Sequence, residues 1–147
     1  MIDRTGIQAL LPHQGTMCLL DSVRSWSAAA ITATARSHLD ADNPLRRAGQ
    51  LSMVCGAEYA FQAAALHGAL RAGGVAQPQG YVAGLRLDAI GGPRLDDAAY
   101  GLLMIETMLE FDDPSGMIYG FRLLSEGGGL LLAGRGTIIF PGVLPRQ

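Results

Sequence analysis

Lysine is missing from this chain, because all eleven residues in the Lys+Arg count are arginines. Every chemistry that depends on a lysine amine is thereby excluded, including a P-loop phosphate site and a Schiff-base enzyme. Charge of any kind is scarce, at 16% of residues, and the formal net charge is −2. That leaves no broad basic field to hold a nucleic-acid backbone. Cysteine is limited to Cys18 and Cys55, too few for a disulfide framework and without CxxC spacing, so a reducing cytoplasm fits best. The amino terminus, MIDRTGIQALLPHQG, has a short apolar patch at residues 7–11 and no small-residue cleavage site, so no signal peptide is expected. Aromatic residues make up only 6%, whereas there are 20 glycines and the hydrophobic fraction is 49%. Such a mixture is too apolar for disorder and suits closely packed sheet and helix with tight turns. One globular domain spanning residues 1–147 is expected from the length.

What is present is a long stretch of low charge, residues 51–70, in which Glu58 is the only carboxylate and arginine is absent. It is long enough to span a bilayer, but Ser52, Gln62, His67 and its alanines and glycines make it too weakly hydrophobic, and a central glutamate adds a further cost. No membrane is expected; the stretch reads as a buried helix over residues 51–71, stopped by Gly73 and Gly74. Around it, residues 17–26, 29–36, 81–90, 100–111, 117–125 and 130–140 read as strands, separated by turn signals such as GGP, DDPSG and EGGG. In residues 103–111 the set Leu103, Ile105, Thr107, Leu109 and Phe111 alternates with Met104, Glu106, Met108 and Glu110, as in a strand buried on one face. Six strands with one long apolar helix inserted after the second give an α+β class: a curved antiparallel sheet wrapped around a helix.

Glu58 is the most informative residue. At about 100° per residue it shares a helix face with Val54, Phe61, Gln62 and Ala65. It lies either in the solvent near the helix start, where the macrodipole favours it, or inside the apolar stripe, where desolvation would keep a proton available for general-acid chemistry. His13, in LLPHQG, precedes the first strand, where a turn could hold an imidazole base at a sheet edge; a lone loop histidine can equally be structural. His67 falls about half a turn away from Glu58 and cannot share its site, and His38 is a weaker candidate base. No histidine or carboxylate spacing suits a metal, so none is expected. Cys55 reads as a structural thiol, and the Arg46-Arg47 pair as either solvated surface or a dock for phosphate or an acidic partner.

IQALLPHQGTMCLLDSV resembles the LLPH-x-x-P-M-x-L-L-D-x-V signature of 3-hydroxyacyl-(acyl carrier protein) dehydratases of the hotdog superfamily. GQLSMVCGAEYAFQ resembles the G-x-L-x-x-x-x-x-x-E-x-x-x-Q helix of the branch associated with aryl-polyene biosynthesis, with Gly49, Leu51, Glu58 and Gln62 on the pattern. The likeness covers residues 7–66 well and the rest through the order of strands and turns. Two departures stand out. Thr16 replaces the usual proline, and Pro44 stands where the fatty-acid enzymes carry the histidine of their GHFPG segment.

The resemblance implies a hotdog fold, usually paired so that two sheets join and the acyl site lies between protomers. It implies a dehydratase that converts a 3-hydroxyacyl thioester on acyl carrier protein, or on coenzyme A, to the trans-2-enoyl thioester. His13 would be the base and Glu58 the acid, with Gln62, Gly49 and Val54 as substrate contacts. Amides at the helix start would polarise the thioester carbonyl, since the first N–H groups of a helix lack internal partners. No cofactor is expected, and a cytoplasmic homodimer or higher oligomer is. The rival readings are a hotdog acyl thioesterase and a catalytically silent acyl-binding subunit that needs a partner chain.

Overall fold

The computed structural model describes residues 1–12, 15–78 and 80–140. Its elements are α1 (Arg4–Leu10), β1 (Ser22–Trp26), β2 (Ala30–Ala35), α2 (Gly56–Arg71), β3 (Tyr81–Ile90), β4 (Leu103–Asp113), β5 (Gly116–Leu124) and β6 (Leu130–Ile139). The six strands form one sheet in the order β1-β2-β4-β5-β6-β3, antiparallel at every pairing. This is the hotdog arrangement, with α2 packed against the inner face. Among the described residues no helix is long and apolar enough to cross a membrane.

Helix α2 can lie close to the sheet because its contact side is made of small residues. A Cβ on Gly56 would come within 2.7 Å of Leu123 Cδ2 and 3.0 Å of Leu132 Cδ2, so any larger residue there would have to push those side chains aside. Farther along, the Phe61 ring packs over Gly136, where a Cβ would run into it, and meets Phe121 edge-on with centroids 6.2 Å apart. Tyr59, Ala60, Ala63 and Leu66 are fully buried among the sheet's inner side chains. Each large apolar side chain buried this way contributes about 1.5–3 kcal/mol of transfer free energy. The helix stops where the sequence places its stop. Gly73 (φ 81°) and Gly74 (φ 85°) are left-handed, with Gly74 N–H on the Ala69 carbonyl and Gly73 N–H on that of Leu70, a Schellman closure.

Three local departures from the sequence expectation have physical causes. The helix proper begins later than residue 51, because residues 53–55 form a tighter 3-10 turn. Residues 17–20 stay out of the β1 ladder, since side chains bind their backbone instead, and pairing with β2 begins at the Asp21 N–H, which donates to the Thr34 carbonyl. In β4 the inner set Leu103, Ile105 and Thr107 is buried as expected, but a register shift between Leu109 and Phe111 ends the alternation and leaves Phe111 exposed. On the outer face Glu106 pairs with Arg122, and Glu110 with Arg135, each at 2.6 Å.

The two sheet edges differ. On β1, Ile2 exchanges both backbone hydrogen bonds with Val23 and covers the edge. On β3 the outer edge has no partner among the described residues, and Tyr81, Val82, Leu85 and Ile90 are all exposed there.

Candidate active site

A groove of about 720 Å³ runs along one side of α2. Its lining includes Glu58, Phe61, Gln62, Ala65, Gly68 and Arg71 from successive turns of the helix, along a side that drifts round the axis toward Arg71. Leu10 and Pro12 close it at the Glu58 end, while Tyr81, Val82, Met117, Ile138 and Phe140 supply apolar wall. Asp112, Asp113 and Pro114, at the β4–β5 turn, stand with Arg71 at the other end.

Glu58 sits in the first turn of α2 and faces solvent in the isolated protomer. Of the two readings of this residue, the solvated one describes the single chain: the carboxylate is on the groove side and away from the sheet. His67 confirms the helix geometry, being completely buried on the opposite side. Its Nε2–H donates to the Ser27 carbonyl at 2.7 Å, which leaves Nδ1 to accept from the Tyr119 hydroxyl at 2.7 Å. Burial holds the His67 pKa below its ordinary value and lifts the Tyr119 phenol to about 12, so both groups stay neutral.

His13 lies outside the described residues, but the structure on both sides of it is informative. Pro12 lines the groove. After it, residues 15–20 are fastened by two side chains. The Gln62 amide donates to the Met17 carbonyl at 2.6 Å and accepts from Leu19 N–H at 2.9 Å. The Arg4 guanidinium, one turn into the chain on α1, donates to the carbonyls of Gly15 (3.0 Å), Cys18 (2.8 Å) and Leu20 (3.3 Å). A third tie reaches the same segment through a relay. Asn43 Nδ2 donates to the Tyr59 hydroxyl, which donates to Ser37 Oγ, which in turn donates to the Leu19 carbonyl at 2.7 Å. Burial raises the Tyr59 phenol to about 12, so it remains a donor at every physiological pH.

Gln62 therefore sits where the motif places it, on the groove, yet its amide is committed to the chain's own backbone. Gly49 and Val54 are elsewhere. Gly49 (φ 74°) follows Ala48 (φ 52°) in the tight turn between Arg47 and Gln50, and neither Gly49 nor Val54, which is 45% exposed, is among the groove-lining residues described. Only glycine and a few residues tolerate such left-handed backbone without strain, which accounts for Gly49 in the motif. His38 is fully buried, and neither ring nitrogen has a hydrogen-bond partner among the described residues; it does not face the groove. Desolvation holds its pKa down against the pull of the Gly101 backbone and of Asp40, Asp21 and Asp96.

Arg46 is not a docking cation. It donates to the carbonyls of Asp40, Gly49 and His38 and forms a 3.0 Å ion pair with Asp96, whose side chain is 2% exposed and also meets Arg94 at 2.7 Å. The hydrogen-bonded Arg94 guanidinium above all, with backbone N–H groups of Leu51 and of Asp96 itself, keeps the Asp96 carboxyl far below the usual carboxylate range. Cys55 packs against the core, and burial pushes its thiol up, away from a nucleophilic thiolate. Among the described residues no three His, Cys, Asp or Glu side chains group as metal ligands.

No curated protein matches the chain. Among solved structures it is similar to the dehydratase heterocomplex ApeI:P from Xenorhabdus doucetiae, with 20% identity over 92% of this chain and 91% of that one and a TM-score of 0.78. It is also similar to the hypothetical thioesterase with coenzyme A from Streptococcus pneumoniae TIGR4, with 12% identity, coverage of 84% and 88%, and a TM-score of 0.58. Likenesses at such identities carry the fold. The activity follows from a family model, ApeP-like, described as ApeP dehydratase, which matches residues 5–119 and so takes in α1 from its second residue, the fastened segment and all of α2. With that match over most of the chain, including Glu58, Gln62 and the segment Gln62 fastens, the chain belongs to the ApeP-like dehydratase family.

Proposed function

We propose that this dehydratase removes water from a 3-hydroxyacyl thioester carried on acyl carrier protein. His13 takes the α-proton and Glu58 gives a proton to the departing β-hydroxyl. The Cα–H and Cβ–O bonds break, the carbon–carbon double bond forms, and water leaves. The observation that carries this reading is the groove itself, which joins Glu58 to Pro12, the neighbour of His13, and continues as an apolar channel along α2. A general acid works best out of bulk water, where its pKa rises toward neutrality. Glu58 is exposed in the protomer, so the working site needs a second chain to cover it.

The uncovered β3 edge supports such pairing. An exposed strand edge with apolar side chains is an aggregation hazard that folded proteins normally cover. A second hotdog chain added there would extend the sheet and close the groove from the β3 side, where Tyr81 and Val82 line it. A second copy of this chain is the simplest occupant. The likeness to a dehydratase heterocomplex, together with Pro44 in place of the GHFPG histidine, favours a second reading in which the covering chain is a different hotdog protein. Two unpaired thiols suit a reducing cytoplasm.

The test is product analysis with 3-hydroxyacyl carrier protein. Enoyl thioester from the chain alone supports the self-paired enzyme, and enoyl thioester only after a second hotdog chain is added supports the mixed pair. Free thiol without enoyl product would instead mark a thioesterase and overturn the proposal.

A further inference from the structure

The far end of the groove is a built feature that the reaction does not use. Glu58 and Arg71 both line the groove and mark its two ends along α2, and at 1.5 Å rise per residue they are about 20 Å apart along the helix axis. Between them the floor is Ala64, Ala65 and Gly68, with the Met117 and Ile138 side chains alongside. Arg71 Nη2 meets Asp112 Oδ2 at 3.0 Å, which ties the end of the helix to the end of β4 across the channel.

We infer that the Arg71–Asp112 ion pair is the end wall of the acyl groove and fixes the longest chain the enzyme accepts, so that its substrates are extended rather than short 3-hydroxyacyl thioesters. This rests on the proposed reaction only for the direction of the chain, from Glu58 toward Arg71. The reason is a change in what each methylene meets. Along the small-residue floor an added CH₂ leaves water for apolar wall, which tightens binding about fourfold per carbon. At the pair, an added CH₂ must displace water from a guanidinium and a carboxylate that are 30% and 47% exposed, and the gain is lost to their desolvation. Short chains leave most of the channel filled with water and forgo that gain.

Gly68 offers an independent handle. A Cβ built there meets only Met117 Cε, at 4.0 Å, so the first atom of a side chain at this groove-lining position fits without a clash. Leucine is also a better helix former than glycine, so Gly68→Leu preserves α2.

The experiment is calorimetric titration of the full chain, in the oligomer it forms, with saturated acyl-pantetheine amides of graded length. These carry no β-hydroxyl and no thioester, so binding is read without turnover. For the unmodified chain, affinity should rise about fourfold per methylene and then level off at one length. Arg71→Ala should move that break to longer chains and leave shorter ones unchanged. Gly68→Leu should move it to shorter chains. Superimposable profiles for the three proteins, or a uniform loss at all lengths in Gly68→Leu, would overturn the inference. Absence of enoyl product in the separate turnover assay would count against the proposed reaction and leave the length profile to decide the wall.

Discussion

Leu19 and Gln62 are bound to each other across the protomer, the Leu19 N–H donating to Gln62 Oε1 at 2.9 Å in a fully buried setting. Tyr59, three residues before Gln62, reaches the Leu19 carbonyl through Ser37. One turn of α2, the turn that follows Glu58, thus holds both backbone groups of a residue just downstream of His13. The proposed base and acid come from distant parts of the chain, and this clamp fastens the segment that follows His13 to the helix that carries Glu58.

Gln62→Ala should show it. The variant strands a buried N–H and carbonyl, at a cost of about 1–3 kcal/mol, read as a lower urea midpoint with unchanged m. Because the segment after His13 loses its tie, kcat should fall by roughly 10²-fold while KM moves little. A substrate contact would give the reverse pattern, a raised KM with kcat retained.

Acid should weaken the fold through two buried histidines. His38 and His67 are both held neutral by desolvation, so their folded pKa values lie below the ordinary one. Below about pH 6.5 the unfolded chain takes up protons that the folded chain refuses, and stability falls by about 1.4 kcal/mol per pH unit for each ring until the folded pKa is reached. Above that window the full stability is present. His38→Leu, which removes a ring with no partner among the described residues, should make urea stability fall less steeply as the pH drops below about 6.5. An unchanged slope would show that His38 does not titrate with unfolding.

Charge on β3 should separate the chains without unfolding them. Val82 and Leu85 are 41% and 46% exposed, so the double change Val82→Glu, Leu85→Glu should leave the protomer's circular dichroism intact. Light scattering should then report a single chain where the unmodified protein gives a larger species. Persistence of the larger mass would place the interface elsewhere.

Much of the fold is legible in the sequence because it rests on local patterns. The bounds of β3 and the Gly73-Gly74 stop of α2 are where periodicity and turn residues place them. The short helix α1 is harder to read: its seven residues include Gly6, and its main signal is Asp3, whose carboxylate caps the Gly6 N–H at 3.0 Å. Arg46 reads as a surface cation because its charged partner, Asp96, is 50 residues away and its near partners are backbone carbonyls of an irregular segment. Gln62 is found by its motif, but its use is not, since a glutamine that binds substrate and one that binds Leu19 look alike until the chain is folded. The solvent exposure of Glu58 depends on whatever covers the groove, and no pattern within one chain encodes that.

The most direct measurement is the rate of enoyl thioester formation by Glu58→Gln beside the unmodified protein, in the same oligomer. Glu58 is exposed in the protomer, so the substitution should change stability by no more than about 0.5 kcal/mol. If Glu58 supplies the proton to the departing hydroxyl, the rate should fall by about 10²–10⁴-fold while the saturated amides still bind. Full activity in that variant would contradict the assignment of the site.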